Sequence, residues 1–228
     1  KDPDKITLTQ SGLAKRIVEA LDVGHLPRKF TPADSKPLTK DIDGDPPDGR
    51  YNYASVIGML QYLQGHSRPD ITYAVSQCAR FVHSPRRSHE IALEHIGRYL
   101  KFTADKGLIL RPSGNIELDC YVDADFAGLW PHEDKEDPTC VKSRTGFVIC
   151  VSDCPVIWIS KLQHEIALST MEAEYNALSY AMRSLLPLQQ TLQAIASGIG
   201  LSSEAVTIRT TVHEDNAGAL TLANMEAG

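Results

Sequence analysis

The chain has 228 residues, a net charge of −6 and 42% hydrophobic residues, including five cysteines. These values are typical of a globular protein with one large or two modest cores, and they argue against a strong, non-specific nucleic-acid binder. No apolar run approaches the roughly 18 residues that predict a membrane span, and no signal peptide is apparent. An odd number of cysteines without zinc-finger spacing favours reduced, buried thiols in an intracellular protein. Because the chain begins at Lys1 rather than Met, we expect a piece of a longer protein.

The first hundred residues are predicted to be mostly helical. A short strand is predicted near Ile6, followed by a helix over 11–22 with Ser11 as its N-cap. Residues 23–52 contain five prolines and three glycines, which predicts an extended linker. Apolar residues at helical spacing predict three further helices, over 53–64, 69–83 and 88–102.

The predicted helices between residues 80 and 101 carry an excess of positive charge in an acidic chain. Arg80, Arg86 and Arg87 are therefore candidate contacts for nucleic-acid phosphates. An ordinary solvated helix face would explain the same charges equally well. Charge alone leaves both interpretations open.

From residue 105 onward the pattern becomes α/β. Apolar residues alternate from Ile116 to Val122, which predicts a half-buried strand. The further predicted elements are strands over 145–151 and 156–160 with a turn near Ser152-Asp153, a helix over 169–186 capped by Ser169 or Thr170, a second helical stretch to Ala196 that Pro187 opens or kinks, a strand over 206–212, and a helix from Asn216. Three strands, a crossover helix and a fourth strand predict a mixed sheet.

Carboxylates follow two of these strands and lie near the start of the helix between them. Asp123 and Asp215 each end a strand, and Glu174 lies inside the helix. Glu172 points to another face of the helix and fits a capping role. Convergent carboxylates suit Mg²⁺, and two ions about 3.5–4 Å apart can promote cleavage of a phosphodiester. The pattern predicts such a site, although any one of these acids alone would more often be a surface group.

Four further polar residues are considered for the site: Asp125, His213, Glu214 and Ser169. Asp125 shares the strand face of Asp123 and could be a further ligand or face solvent. His213 and Glu214 fit better as strand-edge groups than as ligands. A serine-nucleophile site at Ser169 is disfavoured because the chain has no Gly-x-Ser-x-Gly elbow.

Five motifs occur in order in this α/β half: Tyr121-Val-Asp-Ala-Asp-Phe-Ala-Gly128, Lys142-Ser-Arg-Thr-Gly-Phe147, Ile157-Trp-Ile-Ser-Lys161, Ala167-Leu-Ser-Thr-Met-Glu-Ala-Glu-Tyr-Asn-Ala-Leu178 and Glu214-Asp-Asn-Ala-Gly-Ala-Leu220. Together they resemble the ribonuclease H domain of copia-type retrotransposon Pol polyproteins. The helical half resembles the segment that joins the reverse transcriptase to that domain, on the motifs Tyr53-Ala-Ser-Val-Ile-Gly-Met-Leu-Gln-Tyr-Leu63, Arg68-Pro-Asp-Ile71, Ala74-Val-Ser76 and Arg98-Tyr-Leu-Lys101.

The resemblance implies an α/β fold, with a ribonuclease H-like mixed sheet and flanking helices after a small helical domain. It implies two Mg²⁺ ions, replaceable by Mn²⁺, held by Asp123, Glu174 and Asp215, which match the family's catalytic acids by motif position. The implied activity is cleavage of the RNA strand of RNA–DNA hybrids, with an upstream reverse transcriptase domain as partner and no membrane. The implied location is the cytoplasm, in virus-like particles.

The predicted domains are the end of a reverse transcriptase region (1–22), a linker (23–52), a helical connection segment (53–104) and a C-terminally truncated ribonuclease H-like domain (105–228). The polymerase's paired aspartates are absent, so we expect no DNA synthesis. The family's fourth metal-site acid lies beyond the last helix, and the chain stops at Gly228 before it. The alternatives are an inactive remnant that binds nucleic acid or a partner, and another nuclease of the superfamily, such as a transposase or resolvase.

Overall fold

A computed structural model describes residues 4–112, 116–130, 132–200 and 208–225. The chain divides into two compact units, Thr7–Leu108 and Ile109–Gly228 with Lys1–Ile6. Each unit has its own buried apolar core. No helix within the described ranges is both long and apolar enough to cross a membrane. All five cysteines are free, and only Cys150 is not fully buried.

The first unit is helical, as predicted. Its elements are α1 (Ser11–Ala20), α2 (Tyr53–His66), a 3₁₀ turn (Pro69–Ile71), α3 (Thr72–Ala79) and α4 (Arg87–Lys101). The short strands β1 (Ile6–Leu8) and β2 (Leu108–Leu110) lie where the chain passes from one unit to the other. Two details differ from the predictions. Gln10 rather than Ser11 holds the N-cap position of α1, and its side chain makes no capping bond. The helix predicted over 69–83 starts with the 3₁₀ turn and ends at Ala79.

The proline-rich segment 23–52 contains no helix or strand, as predicted, but it packs against the helices of this unit. Backbone carbonyls of the segment bond side chains of α4: His89 Nε2 lies 2.7 Å from the Thr39 oxygen, and Arg98 Nε donates to the Pro27 oxygen at 2.7 Å. Val23 is fully buried in the helical core. The domain boundaries predicted at residues 22 and 52 both fall within the compact unit.

Two of the arginines predicted to contact phosphates have partners inside the first unit. Arg80 donates to the carbonyl of Leu38 at 2.9 Å. Arg87 forms ion pairs with Glu90 at 3.1 Å and Glu94 at 2.9 Å. The ion pairs offset the charge of Arg87, whereas the hydrogen bond of Arg80 to a carbonyl leaves its charge in place. Phosphate contacts by Arg80, Arg86 and Arg87 stay a prediction.

The second unit contains a four-stranded mixed sheet with flanking helices, as predicted. The strands are β3 (Glu117–Asp125), β4 (Arg144–Val151), β5 (Cys154–Leu162) and β6 (Arg209–His213), and the helices are α5 (Thr170–Gly198) and α6 (Ala217–Ala223). The strand order is β5-β4-β3-β6. β3, β4 and β5 pair antiparallel, and β6 pairs parallel to β3. The predicted start of the last strand, at Val206, lies outside the described residues.

The alternation seen in the sequence positions β3 and the hairpin beside it. Leu118, Cys120 and Val122 are buried beneath α5, and the residues between them face the other side. The β4–β5 hairpin turns at Ser152 and Asp153, which have positive φ angles of 49° and 66°. Two consecutive positive φ angles are typical of the tight turn that suits the twist of a hairpin. The turn predicted here is therefore confirmed.

α5 is one helix of 29 residues, so the predicted alternative in which Pro187 opens a separate helix is wrong. A proline in a helix removes one backbone hydrogen bond, but packing on both sides can hold the helix together. Leu185 is buried before the proline, and Leu188 and Leu192 pack against the same core after it. Ala173, Ala177 and Ala181 are completely buried, so the helix backbone lies close to the sheet.

We expect Ala177→Leu to destabilise the second unit by about 1–3 kcal/mol, because extra methylenes in a filled core force side chains or backbone to move. The displaced segment would include Glu174, one turn earlier. Chemical denaturation measures the change in the free energy of unfolding. Ala194→Leu is the matched control, because Ala194 lies on the exposed face of the same helix. Equal stability of the two variants would contradict the close packing.

Candidate metal centre

The three acids predicted from the sequence meet at one point. One carboxylate oxygen each of Asp123, Glu174 and Asp215 lies within 4.8 Å of the others. The register of the sheet explains the meeting of the two aspartates. Tyr121 of β3 is paired with His213 of β6 in parallel, and each aspartate follows its strand's paired residue by two positions. Parallel neighbours therefore deliver both carboxylates to the same edge of the sheet.

The cap of α5 positions the glutamate. Ser169 Oγ accepts a hydrogen bond from the Glu172 backbone N–H at 3.1 Å, as the predicted cap requires. The Glu172 carboxylate accepts from the backbone N–H of Leu168 at 2.7 Å, so it is engaged at the helix start. Glu174 lies on the helix face that packs against the sheet and points into the cluster. Glu174 and not Glu172 therefore lies with the two aspartates, and its role as a metal ligand stays a prediction.

The surroundings of Glu174 disfavour the charged form of its carboxylate. Its side chain is 4% exposed, and Oε2 has no hydrogen-bond partner in the described part of the chain. Burial raises the pKa of Glu174 to about 7, with further upward shifts from the charges of Glu214, Asp123 and Asp215. A hydrogen bond from the backbone of Ala124 opposes this rise in the pKa. A cluster of oxygen donors with an unpartnered buried oxygen fits a hard divalent cation such as Mg²⁺.

Glu214 adds a fourth negative charge that the sequence analysis assigned to the strand edge. Its Oε1 accepts a hydrogen bond from the backbone N–H of Asn216 at 3.1 Å, whereas its Oε2 is buried and unpartnered among the described residues. Burial raises the pKa of Glu214, and the charges of Asp215 and Asp123 raise it further. β6 ends at His213, so strand alternation no longer directs the next side chain away from Asp215. Adjacency to Asp215 was the only sequence signal.

Asp125 and His213 lie outside the cluster of three. The Asp125 carboxylate folds over Gly128, where a Cβ atom would overlap it. His213 Nε2 lies 2.8 Å from Asp119 Oδ1, and its ring stacks on that of Tyr121 with centroids 4.4 Å apart. His213 is therefore a strand-edge group, as the sequence predicted.

Comparisons with known proteins identify relatives among transposons. No protein-family model and no solved structure matches the chain. The Pol polyprotein of transposon RE1 from Arabidopsis thaliana is 34% identical over 154 residues, covering 64% of this chain and 10% of that protein. The Pol polyprotein of transposon TNT 1-94 from Nicotiana tabacum is 33% identical over 84% of this chain and 14% of that protein. Secreted RxLR effector protein 161 of Plasmopara viticola is 36% identical over 57% of this chain and 85% of that protein.

The chain thus spans only 10–14% of the length of these two Pol polyproteins. Further matches include the Pol polyprotein of transposon RE2, also from Arabidopsis thaliana, which is 34% identical over 73% of this chain. Because these matches each cover most of the chain, they extend over both of its compact units rather than over one short motif. The chain therefore belongs to the family of retrovirus-related Pol polyproteins of copia-type transposons, and it corresponds to one segment of them.

Proposed function

We propose that this chain is a metal-dependent ribonuclease H, which cleaves the RNA strand of RNA–DNA hybrids as part of a retrotransposon reverse transcriptase polyprotein. The observation that carries the proposal is the convergence of one carboxylate oxygen each of Asp123, Glu174 and Asp215 within 4.8 Å, together with a buried Glu174 oxygen that has no partner among the described residues. The kinship with transposon Pol polyproteins supports the choice of a reverse-transcription substrate over other phosphodiesters. The partners proposed with it are the hybrid itself and an upstream reverse transcriptase domain.

The residues that would hold two Mg²⁺ ions, or Mn²⁺ in their place, are Asp123, Glu174 and Asp215. When bound, such ions supply an activated water and charge neutralisation at a phosphodiester. The chain's own contribution is placement of the ligands. Asp123 lies on β3, Asp215 follows the neighbouring strand β6 by two residues, and Glu174 is held by the capped helix and by the Ala124 backbone. Glu214 increases the local negative charge, which strengthens the attraction for a divalent cation.

The sheet and helix positions also make the proposal specific. A cluster of exposed acids on flexible loops would attract a cation only weakly, because water and salt screen the interaction between exposed charges. Here one carboxylate is buried, Asp123 lies within β3, and Asp215 follows the end of β6 by two residues, so ordered elements position the negative charge. Preorganised charge of this kind is the main protein contribution in phosphoryl-transfer sites.

A cleavage assay tests the proposal. We expect the chain, with millimolar Mg²⁺ or Mn²⁺, to cut the RNA strand of an end-labelled RNA–DNA hybrid, and to leave the DNA strand intact. Chelation with EDTA should stop the reaction. Single-stranded RNA, RNA duplex and DNA duplex serve as comparison substrates. Cleavage of the DNA duplex would favour a transposase-like or resolvase-like nuclease, and no cleavage of the hybrid with either cation would refute the proposal for this chain.

A further inference from the structure

A cavity lies in the second compact unit, between the edge strand β5 and the helix α5. Its volume is about 350 Å³, within the range of sites that hold a small ligand or one nucleotide unit. Residues from β4, β5, the segment after β5 and α5 line it, and we call it the β5–α5 groove. None of the three clustered acids lines the groove. The residues that matter for its chemistry are Lys161, Gln163, Tyr180 and Arg183.

Gln163 lines this groove and has a buried hydrogen-bond acceptor without a partner among the described residues. Its side chain is 7% exposed, and its Nε2 donates to Thr145 Oγ1 at 3.1 Å and to the Ala173 carbonyl at 2.8 Å. These two bonds fix the orientation of the amide. Its Oε1 has no hydrogen-bond partner among the described residues. Buried acceptors are rarely left unpaired, so this oxygen indicates a ligand that donates a hydrogen bond.

Two cations flank one aromatic ring in the groove. The Lys161 ammonium lies 3.8 Å from the centroid of the Tyr180 ring, and the Arg183 guanidinium carbon lies 5.9 Å from it. Neither cation pairs with a carboxylate within the described ranges, although Glu165 also lines the groove. Lys161 is paired with Thr145 across β4 and β5. The positive charge and the Gln163 acceptor are therefore held by the same part of the sheet.

A ligand that suits the groove carries an anion and a nearby hydroxyl donor. A ribonucleotide unit has both, because its phosphodiester is negative and its 2′-hydroxyl can donate, whereas a deoxyribonucleotide lacks that hydroxyl. We propose that the β5–α5 groove binds one ribonucleotide unit of the RNA strand, with Lys161 and Arg183 at the phosphate and Gln163 Oε1 at the 2′-hydroxyl. The proposal rests on the proposed function, which supplies the RNA strand.

Binding measurements test the cationic part. In the full chain carrying Asp123→Asn to prevent cleavage, the added pair Lys161→Ala and Arg183→Ala should raise the Kd for a fluorescent RNA–DNA hybrid about tenfold at low salt. The magnitude of the slope of log K against log salt should decrease by about one to two, because each phosphate contact that is lost no longer releases a counterion. Arg209→Ala is the control, since this exposed arginine lies on β6, which is separated from β5 by β4 and β3.

Substitution in the ligand tests the hydroxyl contact. A scan of single 2′-deoxy positions along the RNA strand should find one that weakens binding to the Asp123→Asn chain about threefold or more, and the loss should vanish in the added Gln163→Met variant. Melting curves establish that each variant is folded. Competition by adenosine monophosphate distinguishes a free-nucleotide site from a strand site, and displacement of the hybrid at equal concentration would overturn the proposal.

Unchanged Kd and salt slope in the double cation variant would overturn the groove proposal whatever the result with Gln163. If hybrid cleavage by the unmodified chain persists in that case, the proposed function stands and the groove proposal alone fails. If the unmodified chain neither binds nor cleaves the hybrid, both fail. Loss of affinity and slope in the double variant, with the Arg209→Ala control unchanged, supports the groove as a strand-binding site.

Discussion

Asp123→Asn will lower the rate of Mg²⁺-dependent hybrid cleavage by at least about a hundredfold, because it removes one of the few charged ligands of the proposed site. Asp125→Asn will keep most of the activity. The two residues lie on the same strand and the same face, two positions apart, but only Asp123 shares the cluster with Glu174 and Asp215. Initial rates at saturating Mg²⁺ measure the difference.

This pair of variants is informative because both remove one negative charge from the same end of β3. A general loss of electrostatic attraction for cations would slow both enzymes similarly. A loss confined to Asp123→Asn would identify that carboxylate as a specific ligand. Equal rates for Asp123→Asn and the unmodified chain would contradict the proposed site, and melting temperatures of both variants exclude unfolding as the cause.

Glu174→Gln will raise the melting temperature of the chain at pH 8 in the absence of divalent cations. The substitution keeps the shape of the side chain and removes a buried charge that has an unpartnered oxygen and three acidic neighbours. Removing an uncompensated buried charge stabilises a folded protein. Differential scanning fluorimetry with EDTA present measures the shift. Glu172→Gln is the control, because Glu172 caps the helix instead of joining the cluster.

The pH dependence of this gain follows from the raised pKa. Folding raises the pKa of Glu174 from 4.5 to about 7, so between these values the folded state binds more protons than the unfolded state. The stability of the unmodified chain therefore falls as the pH rises through this window. The advantage of Glu174→Gln should be small below pH 4.5, grow through the window and be complete above pH 7. An advantage independent of pH would contradict the electrostatic cause.

Cation binding should offset the loss of stability that the charged Glu174 causes. We expect millimolar Mg²⁺ to raise the melting temperature of the unmodified chain, because a ligand that binds only the folded state stabilises it. The increase should be smaller in Glu174→Gln, which has lost one ligand charge. If Mg²⁺ raises both melting temperatures equally, the cation binds elsewhere.

The acids of the candidate site were predictable because local patterns placed each of them. Alternation ended β3 near Asp123, and the cap signal at Ser169 fixed the start of the helix that carries Glu174. That the two strands are neighbours was the one non-local assumption needed to bring Asp215 to Asp123. Of the two alternatives predicted for Pro187, the opening of a second helix is wrong, because buried leucines on both sides keep α5 continuous and no local pattern records that packing.

Features that depend on distant partners could not be read from the sequence. The basic face of α3 and α4 looked free, yet Arg80 and Arg98 bond carbonyls of the proline-rich segment, far away in the chain. Glu214 approaches the acids only because β6 ends one residue earlier. Gln163 gave no signal at all, since its unused acceptor results from two bonds that exist only in the folded unit.

The parallel pairing of β6 with β3 also bears on folding kinetics. Contacts between residues far apart in sequence tend to form late, and parallel strands joined through a long helix are among the slowest to pair. The four acids would then meet only after the transition state for folding. Their repulsion should hardly slow folding, but it should speed unfolding. A bound cation should consequently slow unfolding and leave the folding rate nearly unchanged.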